Sequence, residues 1–244
     1  MRLNDDVYVL PLSIVRDGQT STFNVSLLLD PAAGPTLVDT GLPGQMDEIV
    51  TALAEAGLRV EDLRRIVITH QDIDHVGCLA ELVEASGARV LAHEVETPFI
   101  DGTQPPRFAT PEMLEARPFL RPIVERMRPA PVDEPLQDGA RVDVAGGVRI
   151  VFTPGHTVGH MCLFLGRSGT LIAGDALTAD AGRLQGPNPS ATQDMPTASR
   201  SVRKLADLDV RAIVCYHGGV VQDDAAAQLR RVADELAEEQ RAAT

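Results

Sequence analysis

The sequence lacks several features that would indicate whole classes of protein. Tryptophan is absent from the 244 residues and only 3% of them are aromatic, so a core must consist mostly of aliphatic side chains. No run approaches the ~18 apolar residues that a membrane-spanning helix needs. The N-terminus shows no basic segment followed by an apolar one, so no signal peptide is expected. The expected location is therefore the cytoplasm, with no membrane partner.

Cysteine and basic residues are also scarce. The three cysteines, Cys78, Cys162 and Cys215, lie far apart in apolar stretches, which is typical of buried thiols in a reducing compartment. There are 22 Lys and Arg against 35 Asp and Glu, which gives a formal net charge of -13. Because nucleic-acid binding depends on basic residues that neutralise phosphates, this charge argues against a nucleic-acid partner.

Alternating apolar patterns predict two β-rich halves with helices around them. The predicted strands cover residues 7–15, 23–29, 36–39, 66–68, 89–93, 141–144, 148–152, 161–165, 170–173 and 210–215. The predicted helices cover residues 45–56, 76–86, 196–208 and 222–238. Turn clusters at residues 16–18 and 31–34 separate the first three strands. This order predicts an α+β fold, a four-layer αβ/βα sandwich that forms a single domain over residues 1–244.

Residues 94–135 differ from the rest of the chain, because nine of the 17 prolines fall between Pro98 and Pro135. Short helices are expected at residues 112–117 and 123–128. A long segment of this kind in a compact domain is usually a functional loop or lid, and a passive surface loop is the alternative. Its large apolar side chains could line a pocket for an acyl group, bury the insertion itself or form a homodimer contact. These side chains are Pro98, Phe99, Ile100, Phe108, Met113, Leu114, Phe119 and Leu120.

Potential metal ligands are concentrated directly after the predicted strand 66–68. The sequence T-H-Q-D-I-D-H places four of them within six residues: His70, Asp72, Asp74 and His75. Neutral imidazole and carboxylate groups together suit zinc, manganese or iron. Asp74 has an alternative role as the cap of the helix that follows. This loop therefore predicts half of a metal site.

Further potential ligands follow the ends of later strands. His156 lies in T-P-G-H-T-V-G-H, Asp175 in A-G-D-A and His217 in Y-H-G-G. A single histidine is more often a structural residue than a ligand. Side chains at strand ends on one edge of a sandwich can converge, however, although they are distant in sequence. The combined spacing therefore favours one metal site built from all these loops.

These motifs, together with V-D-T-G at residues 38–41, resemble the metallo-β-lactamase superfamily along essentially the whole chain. The resemblance implies the αβ/βα sandwich and two divalent metal ions, zinc first, with manganese or iron as alternatives. Carried over by position, it implies that one ion is bound by His70, Asp72 and His156. It implies that the other ion is bound by Asp74, His75 and His217, and that Asp175 bridges the two.

The resemblance also implies secondary roles. Asp39 would orient a ligand or the loop, His160 would be structural, and His93 has no assigned role. The sequence departs from the family pattern H-x-H-x-D-H at Asp72, where the family has histidine and where flavodiiron proteins, which bind iron, have a carboxylate. With Asp74 and Asp175, this gives three negative charges, and a bridging hydroxide makes four against the four positive charges of two divalent ions. A neutral cluster is a weaker Lewis acid, and the harder ligand favours manganese or iron.

The implied reaction is metal-assisted hydrolysis of an ester-like bond in a small or medium substrate: a lactone, a carboxylic ester or a thioester. Asp74 would orient the attacking water and pass its proton to the leaving group. The position of the tyrosine of acyl-homoserine lactonases is Thr178 here. Arg230 and Arg231 do not make the basic cluster by which glyoxalase II-like enzymes hold glutathione.

Two other classes of function remain open on the sequence. One is an iron-dependent redox enzyme that resembles the persulfide dioxygenases, with iron bound by His70, His156 and Asp175. The other is a non-catalytic metal-binding protein with a degenerate site.

Overall fold

The computed structural model describes residues 1–16 and 18–242, with the backbone alone at Arg16. The turn predicted at residues 16–18 includes Asp17, which lies outside the described residues, as do residues 243–244. The first half of the chain forms a sheet of six strands. They are β1 (Val7–Arg16), β2 (Gln19–Leu28), β3 (Thr36–Val38), β4 (Arg65–Ile68), β5 (Arg89–His93) and β6 (Glu134–Leu136). They pair in chain order, antiparallel from β1 to β3 and parallel from β3 to β6.

The second half of the chain, as far as residue 242, supplies eight strands. They are β7 (Arg141–Val142), β8 (Val148–Phe152), β9 (Met161–Leu165), β10 (Thr170–Gly174), β11 (Thr178–Asp180), β12 (Arg183–Gln185), β13 (Ala212–Cys215) and β14 (Gly219–Val221). Strands β11 and β12 form a separate hairpin, and the other six form a sheet in the order β14-β13-β10-β9-β8-β7. Strands β3, β10 and β13 are fully buried, which explains why each reads as an uninterrupted apolar or β-branched run.

Within the described residues, eight α-helices connect and cover the sheets. They are α1 (Met46–Glu55), α2 (Ile73–Val76), α3 (Leu79–Ser86), α4 (Thr97–Ile100), α5 (Pro111–Ala116), α6 (Arg121–Val124), α7 (Met195–Leu205) and α8 (Ala225–Ala242). Short 3-10 turns occur at Val60–Asp62, Arg107–Ala109 and Pro118–Leu120. None of the helices within the described residues combines the length and apolar character that crossing a bilayer requires.

Three apolar clusters define the layers. One lies between the two sheets, where Val38 and Val67 of the first sheet meet Ile150 and Leu163 of the second. A second cluster joins α1 and α3 to the outer face of the first sheet. A third joins α7 and α8 to the outer face of the second sheet. The layer order is helix, sheet, sheet, helix, which confirms the predicted αβ/βα sandwich.

The predicted helix 76–86 is wrong at its start, because the structure divides it into α2 and α3. The backbone N–H groups of Gly77 and Cys78 donate to the carbonyl oxygens of Gly41 and Thr40, at 2.9 and 3.3 Å, instead of continuing a helix. A side chain at Gly77 would overlap the backbone of the same neighbouring loop. The division therefore ties the segment that follows His75 to the V-D-T-G loop.

Four strands escaped prediction from the sequence: β6, β11, β12 and β14. Each has three residues, too few to show a clear alternation of apolar and polar side chains. Strand β6 also contains Pro135, which is tolerated because β6 is the edge strand of its sheet.

The Pro-rich insertion is ordered by its own apolar side chains. Ile100, Phe108 and Leu120 are buried, whereas Phe119 is half exposed. Phe108 also lines a cavity of about 270 Å³, together with Phe99 of α4 and residues of α2 and α3. The apolar residues of the insertion therefore both bury it and enclose a cavity. The homodimer contact through residues 94–135 stays a prediction.

Candidate metal centre

The loops that carry the predicted ligands meet at one edge of the sandwich, where the two sheets are joined by backbone hydrogen bonds. The N–H of Met161, at the start of β9, donates to the carbonyl oxygen of Thr69 at 3.1 Å. The N–H of Asn24, in β2, donates to the carbonyl oxygen of Tyr216 at 2.9 Å. The first contact holds the loop after β4, and the second holds the segment after β13 that carries His217.

Six of the seven predicted ligands form two groups at this edge. In each group, one side-chain nitrogen or oxygen atom from every member lies within 4.8 Å of the others. The first group consists of His70, His156 and Asp175, and the second consists of Asp74, His75 and His217. The loops after β4, β8, β10 and β13 thus bring together residues that are as far apart as positions 70 and 217.

Asp175 faces both groups. Its Oδ2 lies 3.4 Å from His156 Nε2 in the first group and 3.3 Å from His217 Nε2 in the second. Its Oδ1 lies 3.3 Å from His75 Nε2. A carboxylate in this position can bridge two cations, which is the role that the family resemblance implies for Asp175.

Asp72 lies outside both groups, although it is close to the first. Its Oδ2 is 3.4 Å from His70 Nε2 and 3.0 Å from His156 Nε2. The same carboxylate also pairs with the guanidinium of Arg107, from the Pro-rich insertion. Asp72 precedes α2 at its N-cap position without capping it, since its side chain makes no cap hydrogen bond.

The residues of this edge fit a divalent metal ion. His70 Nε2, His75 Nε2 and Asp175 Oδ1 are buried and make no hydrogen bond with any residue that the structure describes. A buried polar atom without a partner is unfavourable by ~1–3 kcal/mol. Imidazole nitrogen and carboxylate oxygen are the donors that zinc, manganese and iron accept. One cation in each group, with Asp175 shared between them, would satisfy all three atoms.

Asp39 and Thr69 fix the orientation of the imidazole rings of His70 and His75. His75 Nδ1 lies 2.9 Å from Asp39 Oδ2, and Asp39 Oδ1 accepts a hydrogen bond from the N–H of Thr69 at 2.8 Å. The Thr69 hydroxyl donates to Asp39 and lies 3.0 Å from His70 Nδ1. Because the Nδ1 side of each ring is occupied, Nε2 is the atom left for a metal. This is the orienting role expected of Asp39.

Without a metal, the electrostatics of the site favour bound protons. Burial alone would lower the pKa of His217, but Asp175 and Asp74 raise it to about 10. Burial likewise opposes protonation of His75, yet Asp39 and Asp175 raise its pKa well above the ordinary value. Burial would raise the pKa of Asp175, but His75 and His217 lower it well below its usual range. The carboxylates therefore stay charged and attract cations, and a metal ion would displace the protons of these imidazoles.

The two other histidines have structural contacts. His160 Nε2 accepts a hydrogen bond from the backbone N–H of Asp175 at 3.0 Å, and its Nδ1 lies 2.8 Å from Thr153 Oγ1. His160 therefore supports the loop that carries Asp175, in keeping with the structural role expected of it. His93 stacks on Phe152, with ring centroids 4.2 Å apart, and belongs to neither group.

Glu96 is a buried residue of the site that the sequence analysis missed. Its carboxylate accepts hydrogen bonds from the N–H of Gln71 at 2.9 Å, from Thr157 Oγ1 at 2.7 Å and from the N–H of Gly159 at 2.7 Å. It thereby links the loop of His70 to the loop of His156. No motif singles out Glu96, because its partners are distant in sequence.

We expect Glu96→Gln to lower the free energy of unfolding by ~2–4 kcal/mol. The amide can accept at only one oxygen. Its NH2 group is itself a donor and cannot accept from the groups that now donate to the carboxylate, so at least one buried N–H would lose its partner. Urea denaturation followed by circular dichroism measures the change. Glu94→Gln is the matched control, because the exposed side chain of Glu94 bonds only Gln137 among the described residues. Its replacement should cost less than ~0.5 kcal/mol. Equal losses in the two variants would contradict the linking role of Glu96.

Arg107 and Tyr216 are further contacts of the site that carried no signal in the sequence. The Tyr216 hydroxyl donates to the backbone carbonyl oxygen of Asp74, and its ring packs on His75 with centroids 3.8 Å apart. Arg107 is an isolated basic residue in the Pro-rich insertion, and nothing in its local sequence indicates that it pairs with Asp72. Both residues could be recognised only after the loops were placed in space.

Comparison with known proteins gives consistent results along the chain. The family model described as the metallo-beta-lactamase superfamily matches residues 21–217, a segment that contains every predicted ligand. The probable metallo-hydrolase YflN of Bacillus subtilis is 31% identical over 201 residues, which are 75% of this chain and 74% of YflN. A hydroxyacylglutathione hydrolase of Cereibacter sphaeroides is 30% identical over 208 residues, which are 84% of this chain and 66% of that protein.

Solved structures agree with the observed architecture. The crystal structure of the metallo-beta-lactamase family protein TTHA1429 from Thermus thermophilus superimposes with a TM-score of 0.75 at 31% sequence identity. The superposition covers 99% of this chain and 81% of that one. The shared fold therefore includes both sheets, the outer helices and the edge where the candidate ligands meet.

Proposed function

The chain belongs to the metallo-β-lactamase superfamily, and on this premise we propose that it is a dinuclear metal-dependent hydrolase. The bond that it cleaves would be ester-like, that is, a lactone, a carboxylic ester or a thioester. The substrate would be a small or medium molecule. The observation that carries the proposal is the pair of ligand groups that Asp175 faces, with buried ligand atoms that make no hydrogen bond with any described residue.

The two groups of the centre would hold one divalent ion each. His70, His156 and Asp175 would hold the first, and Asp74, His75 and His217 would hold the second, with Asp175 shared. When bound, such ions lower the pKa of water to ~7 and supply hydroxide as a nucleophile near neutral pH.

The side chains of the second group define where a substrate would approach. The side chain of His217 is 35% exposed and that of Asp74 is 18% exposed, whereas His70 and His75 are fully buried. A substrate carbonyl would therefore enter from the side of His217 and Asp74. The carboxylate of Asp74 would orient the attacking water and transfer its proton to the leaving group. Asp39 and Thr69 would keep the imidazole rings in place during turnover.

The relatives favour a thioester among the three bond types. The relative from Cereibacter sphaeroides is named a hydroxyacylglutathione hydrolase, and a hydroxyacylglutathione is a thioester. Glutathione itself is less well supported as the acyl carrier. Arg231 on α8 donates to the side chain of Glu235 and the carbonyl oxygen of Leu184, and therefore does not offer a free cation to a glutathione carboxylate.

The preferred metal in this proposal is zinc. The charge count made from the sequence favours manganese or iron, because it adds Asp72 to the negative charge of the cluster. The guanidinium of Arg107 cancels that charge, since it pairs with the carboxylate of Asp72. The net charge around the ions is then the same as in the family's usual ligand set, which has histidine at the position of Asp72. A set of donors rich in imidazole suits zinc. Manganese and iron remain the alternatives to test.

A panel of substrates tests the proposed activity. The purified protein, loaded separately with zinc, manganese or iron, is assayed on p-nitrophenyl esters, lactones, thioesters and glutathione persulfide. We expect hydrolysis of at least one ester-like substrate, its loss on removal of the metal with a chelator, and its return when the metal is restored.

Other outcomes of the panel would replace the proposal. Oxygen uptake with the persulfide and no hydrolysis would assign the protein to an iron-dependent redox class. Stoichiometric metal binding without turnover of any substrate would leave a non-catalytic metal-binding protein.

A further inference from the structure

Arg107 places a positive charge from the Pro-rich insertion inside the candidate metal centre. Its Nε and Nη2 both donate to the carboxylate of Asp72. Its Nη1 donates to the carbonyl oxygens of His156 at 3.0 Å and Ala191 at 2.8 Å. Its backbone N–H donates to Gln71 Oε1 at 2.7 Å. Because a guanidinium stays protonated at every pH that the protein meets, these contacts hold a permanent cation in place.

The guanidinium lies beside an atom that the first group offers to a metal. Arg107 Nη2 is 3.0 Å from His156 Nε2, and its partner Asp72 faces both His156 and His70. A divalent ion bound by His156 would therefore have a like charge close to it. At a separation of ~4 Å, the repulsion between a unit charge and a dication corresponds to more than ~10-fold in affinity, even at the dielectric constant of water.

Without Arg107, the two metal positions would be nearly equivalent. Each would have two imidazoles, a share of Asp175 and one further carboxylate beside its imidazoles. That carboxylate is Asp72 at the first position and Asp74 at the second. Among the described residues, Asp74 forms ion pairs with histidines alone, whereas Asp72 also pairs with Arg107. Arg107 thus removes one net negative charge from the first position only.

We propose that Arg107 makes the two metal positions unequal. The position formed by Asp74, His75 and His217 fills first and tightly. The position formed by His70, His156 and Asp175 fills second and weakly, because Arg107 repels the incoming ion and engages the carboxylate of Asp72. The inference rests on the proposed function, which supplies the two metal positions. The Pro-rich insertion, through Arg107, then sets how fully the first position is occupied.

Zinc titration of the metal-free full chain tests the proposal. Calorimetry with a competing chelator gives two stepwise dissociation constants, which we expect to differ by at least ~100-fold. Arg107→Met removes the charge and keeps a side chain of similar length. The weaker constant should then tighten at least ~10-fold, while the tighter one stays within ~2-fold, so that the two converge.

Arg128→Met is the matched control, because it removes the same charge from the same insertion. Arg128 pairs with Glu84 of α3, and both side chains are more than half exposed. Both constants should therefore remain within ~2-fold of the wild type. His156→Ala assigns the steps, since it should abolish the weaker one and leave the tighter one.

Asp72→Asn provides a second test that does not depend on how Arg107→Met folds. It leaves the charge of Arg107 without a counter-ion beside the first position. The weaker constant should weaken further, by at least ~10-fold, and the tighter one should not change.

The outcomes separate this inference from the proposed function. Two equal constants in the wild type, or an unchanged or weaker second step in Arg107→Met, would overturn the inference and leave a dinuclear hydrolase intact. Failure to bind zinc at either position would overturn the proposed function and the inference with it.

Discussion

Asp175→Asn should lower turnover of the best ester-like substrate by at least ~1,000-fold. A ~1,000-fold loss corresponds to ~4 kcal/mol of transition-state stabilisation. We expect a loss of this size because the variant lacks the negative charge that balances the metal ions of the centre. Asp175 is the residue whose two carboxylate oxygens reach both ligand groups, at 3.3–3.4 Å from His75, His156 and His217. An amide has one acceptor oxygen and no negative charge, so it cannot serve both positions. The metal content should fall below two ions per chain, as measured by plasma mass spectrometry.

Asp180→Asn is the control for this prediction. Asp180 is an exposed residue of β11, five positions after Asp175, and its replacement removes the same charge outside both ligand groups. Turnover and metal content should match the wild type. If Asp175→Asn retained two metal ions and full turnover, its bridging role would be wrong.

Gly218→Ala should reduce the free energy of unfolding by ~2–6 kcal/mol. Gly218 follows His217 and adopts φ = +96°, a conformation that is unfavourable for alanine by ~1–3 kcal/mol. A β-carbon there would also overlap the backbone carbonyl group of Ala179, in β11. Overpacking of this kind costs a further ~1–3 kcal/mol, because backbone must move to relieve it. His217 should shift with the chain, since its carbonyl oxygen accepts the N–H of Ala179 at 3.0 Å.

The neighbouring residue supplies a matched comparison. Gly219 has a similar φ of +102°, but a β-carbon at this position would meet no atom within 4 Å. Gly219→Ala should therefore show the conformational cost alone, ~1–3 kcal/mol. Urea denaturation of both variants isolates the contribution of the overlap with Ala179. Zinc affinity should fall in Gly218→Ala more than in Gly219→Ala, and equal behaviour of the two variants would contradict the close packing of β11 on the His217 turn.

Local patterns were sufficient to predict the fold and the loops that carry the ligands. Strands such as β4 and β10 are short apolar runs that stop at a polar residue, and the ligands follow directly at His70 and Asp175. Strands that run in the same direction end at a common edge of their sheet, as β8, β10 and β13 do. The six residues of the two groups could therefore be predicted to converge, although that they bind metal remains a prediction.

The environment of Asp72 could not be predicted, because it depends on a long-range ion pair. Asp72 and Arg107 are 35 positions apart, and the insertion that carries Arg107 has no periodic pattern that fixes where its side chain points. The same holds for Glu96, whose partners Gln71 and Gly159 lie on either side of it in sequence. Contacts of this kind are set by tertiary packing. The pair of Asp72 with Arg107 changes the net charge of the centre from the one counted on the sequence.

Helix boundaries near the centre were also decided by tertiary contacts. The apolar pattern from residue 76 to residue 86 predicts one helix, yet the N–H groups of Gly77 and Cys78 bond the V-D-T-G loop instead. That interruption joins α2, which carries Asp74 and His75, to the loop of Asp39. These tertiary hydrogen bonds thus outweigh the local preference for a continuous helix.

Anomalous X-ray diffraction from crystals of the full chain soaked in excess zinc would test the central claim most directly. Data recorded above and below the zinc absorption edge should show two peaks. We expect one peak among His70, His156 and Asp175, and the other among Asp74, His75 and His217. Two such peaks on either side of the Asp175 carboxylate would establish the dinuclear centre. Zinc peaks elsewhere on the molecule, with none within reach of these side chains, would contradict it.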